Sequence, residues 1–234
     1  MIKTYEAHIE ATHIVAENTT EVVFRLTESM TFTAGQYMTV TLPWLTDVPL
    51  REQWHDFSIA SSPDEVGVVR IVFRNSESSF KQALLSAPLG TRVIIEGPKG
   101  VFVLPEDEHA RVVFVSGGIG ITPFMSMLRM MHVRASSHPV ALFYYNKNKE
   151  SAACVDELVR MGDTYLSLSL HIIYGIMTDA EIHEYMKESL ADNTQWYVAG
   201  PPGFVATART VLHTEKITDD TIKTEEFSGY ETIH

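Results

Sequence analysis

The segment Ser116-Gly-Gly-Ile-Gly-Ile-Thr-Pro-Phe124 constrains this 234-residue chain more than any other. It lies inside a long uncharged and strongly apolar run, Val112 to Leu128, which approaches membrane-spanning length. Three glycines and a proline in the middle of that run fit a buried strand, a tight turn and a helix better than a spanning helix. Arg111–Ser116 reads as an apolar strand and Pro123–Val133 as a helix, with Thr122 placed to cap it and Pro123 at its first helical position. Gly117, Gly118 and Gly120 let backbone approach a ligand, and N–H groups at the helix start can bind an anion such as a pyrophosphate. The spacing is not Gly-x-Gly-x-x-Gly, because position 123 is proline and Asn146, not an acid, ends the next strand. No Gly-Lys-Ser/Thr follows, so it is not a Walker loop.

The acidic connector Pro105-Glu-Asp-Glu108 separates two patterns. After it, strands at 111–116, 140–145, 167–174, 195–199 and 221–225 alternate with helices at 123–133, 151–161, 179–188 and 202–213. That alternation predicts an α/β doubly wound parallel sheet. A second turn, Ala199-Gly-Pro-Pro-Gly203, follows the fourth strand, and loops at the carboxyl ends of such strands line one ligand crevice. Before the connector, short strands at 7–16, 21–26, 37–42, 57–60, 66–74 and 92–96 surround a loop at 43–56 and one helix at 79–86. These predict an antiparallel six-stranded β-barrel. The expected chain is α+β with two domains, a barrel at 1–107 and an α/β domain at 108–234.

Composition removes several function classes. With Cys154 alone, no disulfide can close within the chain, and no four-thiolate iron–sulfur cluster can be held by it. The ten histidines are scattered without ligand spacing, so no metal is expected. The net charge is −12, with −6 in each of residues 1–107 and 108–234, and neither part carries a basic stripe; nucleic acid is not an expected partner. The first residues, Met-Ile-Lys-Thr-Tyr-Glu-Ala-His, lack an apolar signal core, which predicts a cytoplasmic protein with no membrane partner.

Two barrel segments carry further chemistry. His55-Asp-Phe-Ser-Ile-Ala-Ser-Ser-Pro63 sets an aromatic beside a serine on a strand, which taken alone describes a core residue next to an outward hydroxyl. Arg74-Asn-Ser-Glu-Ser-Ser-Phe-Lys81 runs from a strand through a serine-rich turn into the barrel helix. Lys81 falls in the first helical turn, against the helix dipole, a placement that makes sense beside a bound anion.

In combination these segments resemble the ferredoxin–NADP reductase superfamily, an FAD-binding barrel followed by a nicotinamide-dinucleotide domain, over essentially the whole chain. His55-Asp56-Phe57-Ser58 is similar to the family's Arg-x-Tyr-Ser strand, and Ile59 continues it. The resemblance implies that Phe57 stacks on the isoalloxazine, that Ser58 bonds near flavin N5, and that backbone at Val72 and Phe73, next to Arg74, meets the pyrimidine edge. Glu77-Ser78-Ser79-Phe80-Lys81 corresponds to the phosphate loop, and Gly97-Pro-Lys-Gly-Val-Phe102 resembles the segment that closes the barrel. Gly117–Pro123 matches the pyridine-nucleotide loop, Ala199-Gly200-Pro201-Pro202 resembles the Cys-Gly-Pro-Pro turn, and Glu225-Glu226-Phe227 resembles the ending whose aromatic covers the flavin.

The chain departs from the family where His55 replaces an arginine, where Ala199 replaces a cysteine, and where Ser228–His234 follow the aromatic. Arg51, Arg74 or Lys81 are the candidates to compensate for the arginine. The implied function is hydride transfer from NADH or NADPH to FAD, preferred over FMN, and electron delivery to a separate ferredoxin-like protein or small molecule. Ser58, Glu225 and Phe227 are the implied catalytic residues. NADH is favoured because Tyr174–Glu181 holds two acids and no base, although Lys147 and Lys149 follow Asn146. The competing reading is a non-catalytic flavin- or nucleotide-binding regulatory or electron-docking subunit.

Overall fold

A computed structural model describes residues 2–165, 167–175, 177 and 194–227. The chain packs as two units. One comprises residues 1–104 with 122–130, and the other 105–121 with 131–234. Packing therefore does not follow a single cut between 107 and 108.

The first unit is a six-stranded antiparallel sheet ordered β4-β3-β6-β1-β2-β5. Its strands are β1 (Lys3–Ala16), β2 (Thr19–Leu26), β3 (Tyr37–Thr41), β4 (Trp54–Ser58), β5 (Val68–Arg74) and β6 (Arg92–Lys99). It curls as a barrel without a closed ladder, and its edge strands meet where the Ala60 N–H donates to the Arg70 carbonyl (2.8 Å). Alternation drives the core: Tyr5, Ala7 and Ile9 of β1 turn inward with Val22 and Phe24 of β2 and Ile71 and Phe73 of β5. A fully buried side chain such as Phe24 contributes about 1.5–3 kcal/mol. Helix α1 (Ser79–Ser86) coincides with its predicted span and buries Phe80 and Leu84, one turn apart.

The polar stretch expected as a loop at 43–56 contains a short 3₁₀ turn at Leu50–Glu52, and β4 begins at Trp54. Polar residues do not exclude a strand whose pairing is satisfied, and Trp54 through Ser58 pair with β3 throughout. The last strand runs three residues past its expected end, to Lys99.

The second unit carries a parallel sheet ordered β11-β10-β7-β8-β9. Its strands are β7 (Val112–Gly117), β8 (Val140–Asn146), β9 (Leu168–Tyr174), β10 (Gln195–Gly200) and β11 (Ile222–Glu226). Helix α4 (Pro202–Thr214) buries Val205, Ala208, Val211 and Leu212 against Val113, Val115, Trp196 and Val198 on one face. On the opposite face, Tyr197, Phe114, Leu142 and Leu170 stand in register. Helix α3 (Val155–Thr164) meets that face, with Gly162 beside Leu170. Helices on both faces make the sheet doubly wound, and strand order reverses between β7 and β10. The helix expected at 179–188 lies outside the described residues, as does Ser228–His234.

Helix α2 runs from Ile121 to Val133. Thr122 is therefore not its cap, and Pro123 is not its first residue. A 3₁₀ turn at Gly118–Gly120 leads straight into the helix, so the chain is already helical before Thr122. Thr122 is 2% exposed inside the first turn.

Candidate functional site

In the first unit, β4 and α1 bring together most of the predicted barrel residues. Strand alternation puts His55 and Phe57 on one side of β4, and α1 carries Phe80 toward both. The His55 ring lies edge-on to Phe80 at 5.3 Å, and Phe57 contacts Phe80 at 5.8 Å and Phe73 at 5.7 Å. Phe57 belongs to the barrel core and is 9% exposed. Ser58, Ile59, Val72 and Phe73 are also buried, so Ile59 and Val72 can meet a ligand chiefly through backbone.

The sequence pattern singled out Lys81 but not its burial. Its side chain is buried, with the ammonium 5.8 Å from the Phe73 ring centroid. Desolvation lowers its pKa. Burial also lowers the pKa of His55, assisted by the nearby Lys81 charge and opposed by Asp56. Helix α1 begins after Ser78 with no side-chain cap, and the Ser79 hydroxyl donates to Glu52 (3.3 Å). A buried ammonium, an imidazole and an uncapped helix start favour a bound anion. These residues fit the pyrophosphate of a dinucleotide such as FAD. Arg74 is turned elsewhere: its guanidinium donates to the Glu17 carbonyl and to the Thr19 hydroxyl. Arg51 is exposed in the 3₁₀ turn. Lys81 is thus the one of the three cations that packs with His55.

In the second unit, the predicted residues gather at the carboxyl ends of the strands. β7 ends at Gly117 and pairs with β10, which ends at Gly200, and β11 adds Glu225 opposite Ala199. The Phe227 N–H donates to the Gly200 carbonyl (3.0 Å), which fixes the backbone beside Pro201 and Pro202. Glu225 and Phe227 are half-buried. Lys147 and Lys149 are exposed after β8.

The glycines have a reason the sequence did not disclose. A Cβ at Gly117 would lie 2.6 Å from the Phe204 ring, and one at Gly200 would lie 2.8 Å from it. At Gly120 a Cβ would meet the Ala199 carbonyl oxygen at 2.2 Å. Close packing of turn, strand and α4 therefore demands three of these glycines directly, with Phe204 as the wedge. Gly118 is different, since its φ of +54° is left-handed.

Two polar side chains at this rim stand out. Among the described residues, Ser116 Oγ and both side-chain polar atoms of Asn146 are buried without a hydrogen-bond partner, at the ends of adjacent strands. Their side chains share one face of the sheet. Buried groups of this kind normally have partners, and a nucleotide offers both donors and acceptors. Among the described residues no cluster of His, Cys, Asp or Glu could hold a metal. No helix among them is long and apolar enough to cross a membrane.

An antiparallel barrel unit with an anion-compatible helix start, followed by a doubly wound sheet with glycine turns at its switch point, has the features of a dinucleotide-binding protein. The Oxidoreductase FAD-binding domain family matches residues 6–104, and the Oxidoreductase NAD-binding domain family matches residues 114–210. The two matches together cover most of the chain, which belongs to the FAD- and NAD-binding oxidoreductases. It is 26% identical over 211 residues to the anthranilate 1,2-dioxygenase electron transfer component of Acinetobacter baylyi, covering 86% of this chain and 59% of that protein. It is 28% identical over 144 residues to methane monooxygenase component C of Methylosinus trichosporium, covering 62% and 41%. The chain thus spans about half the length of these curated relatives.

In fold it is similar to a cytochrome P450 reductase of Amycolatopsis (TM-score 0.81, 21% identity, 97% of this chain and 70% of that one). It is also similar to the FAD/NAD-binding domain of a Vibrio cholerae nitric oxide dioxygenase (TM-score 0.80, 17% identity, 95% and 98%).

Proposed function

We propose that this chain is an NAD(P)H-dependent flavoprotein reductase that passes electrons to a separate acceptor, either an oxygenase-type protein partner or a small molecule. The observation that carries the reading is the pairing of the two domain families, in order, over most of the chain. Bound FAD supplies hydride acceptance and stepwise electron release; the protein supplies binding, orientation and local polarity. Lys81, His55 and the start of α1 would hold its phosphates. Ser58 would offer its hydroxyl to the flavin and pass a proton at its Oγ. Gly117 to Gly120, Thr122, Pro123 and the turn from Ala199 to Pro202 hold the nicotinamide dinucleotide, with Ser116 and Asn146 as polar partners. Phe227 and Glu225, at the end of β11, take the aromatic-gate and proton-exchange roles that the family resemblance implies. NADH is the preferred donor.

A second reading, a non-catalytic flavin- or nucleotide-binding subunit, draws support from His55, whose lowered pKa leaves it a weaker anchor than an arginine. One experiment separates the two. Purified protein reconstituted with FAD is expected to be yellow and to bleach anaerobically when NADH is added. A yellow preparation that no nicotinamide nucleotide bleaches supports the second reading, and failure to take up FAD removes the first.

A further inference from the structure

The Ser58–Ser62 segment is held by an ionic circuit, built on a buried Arg129–Glu21 pair, that no cofactor motif includes. It begins at Arg129 in α2, which is 8% exposed. One guanidinium nitrogen, Nη1, donates to the Ala60 carbonyl (2.9 Å), and the other, Nη2, to Glu21 Oε1 (3.0 Å). Glu21 Oε2 accepts from Arg70 Nη1 (3.2 Å), and Arg70 Nε donates to Glu65 Oε2 (2.8 Å). Glu65 Oε1 then accepts the Ser62 N–H (3.0 Å), so the circuit returns to the segment two residues from where it left. Between these anchors the Ser61 carbonyl accepts from Ser126 Oγ (2.7 Å), and Ser61 Oγ accepts the Arg70 N–H (3.2 Å).

Burying Arg129 with the Glu21 carboxylate is costly, and an apolar pair of the same shape is often as stable or more so. Simple packing therefore does not account for the arrangement. What the charges add is direction: charge-assisted bonds to one carbonyl and one amide leave the backbone of residues 60–62 little freedom. Ser58 lies two residues upstream, joined through Ile59, whose own N–H donates to the Gln36 carbonyl (2.9 Å).

We infer that Arg129, through Ala60 and Glu21, is a positioning residue that fixes the backbone presenting Ser58 to the flavin. The inference rests on the reductase reading for its functional half, and on the circuit alone for its structural half.

Arg129→Lys tests both halves. Lysine keeps the charge opposite Glu21 but cannot fork to Glu21 and the Ala60 carbonyl with one rigid group. Hydrogen exchange followed by mass spectrometry is expected to accelerate about tenfold at the amides of residues 59–62, with peptides from β7 and β8 unchanged. In FAD-loaded protein, the flavin reduction rate at saturating NADH should fall about tenfold while KM for NADH holds. Arg129→Met with Glu21→Gln removes both charges together and guards against a single unpaired charge unfolding the barrel; it should show the same local acceleration. Exchange at 59–62 that stays unchanged, or that rises equally across the whole barrel, overturns the inference. So does a rise in KM with kcat unchanged. If the wild-type chain takes up no FAD, the reductase reading fails by itself, and the exchange measurement still decides the structural half.

Discussion

At the scale of the residue, His55 and Lys81 set how this protein meets an anion. Burial disfavours the charged form of each, and the Lys81 charge further disfavours protonation of His55. In the folded chain without ligand, His55 has a pKa below its ordinary value of 6.5. Above pH 6.5 it is neutral in folded and unfolded chains alike and costs nothing. As pH falls below 6.5 the unfolded chain binds a proton that the folded one resists, so stability declines until the folded pKa is passed. A phosphate beside the imidazole reverses this tendency by favouring the cation, so binding takes up a proton. FAD affinity is therefore expected to rise as pH is lowered from 8 to 6, by at most about tenfold for each unit by which binding raises the His55 pKa. Titration of flavin fluorescence across that range checks it. In His55→Gln the slope should vanish, and a slope that persists would assign the proton to another group.

At the scale of the element, the turns at the ends of β7 and β10 are shaped by their neighbours before any ligand arrives. Gly120→Ala would drive a methyl group into the Ala199 carbonyl, which belongs to a paired strand and cannot yield cheaply. A loss of about 3 kcal/mol is expected in the ligand-free protein, measured by denaturant unfolding. Gly203→Ala is the contrast. It sits in the first turn of α4 with open space around it, and helix propensity favours alanine, so its effect should be neutral or stabilising by up to about 1 kcal/mol. Equal destabilisation by both changes would mean that general turn flexibility, not the packing of Gly120 on β10, sets the glycine requirement. The same neighbour logic explains α2, whose onset depends on a preceding 3₁₀ turn and not on a capping hydroxyl.

At the scale of the whole molecule, the open question with the most direct assay is which nicotinamide the chain prefers. Lys147 and Lys149 are exposed after β8, where either could meet a 2′-phosphate, yet the chain after β9 supplies acids. We expect kcat/KM for NADH to exceed that for NADPH. A preference for NADPH above tenfold would reverse the assignment and direct attention to Lys147.

Much of this architecture was legible in sequence, because hydrophobic period and punctuation are local properties. Alternation in 7–16 and 66–74, the solid apolar run at 111–116 and the Gly and Pro signals at 117–123 and 199–203 each announce their element without help from distant residues. The sequence by itself determined the two modules, their order and the positions of the glycine turns. Only the tertiary structure decided that Lys81 is buried beside His55, that Arg74 turns toward Glu17 and Thr19, and that Phe204 is why Gly117 and Gly200 must be glycine. It also decided that Glu21 and Arg129, 108 residues apart, meet. Each of these depends on which surfaces the fold presses together, and burial, pairing and pKa follow from that contact, not from the identity of adjacent residues.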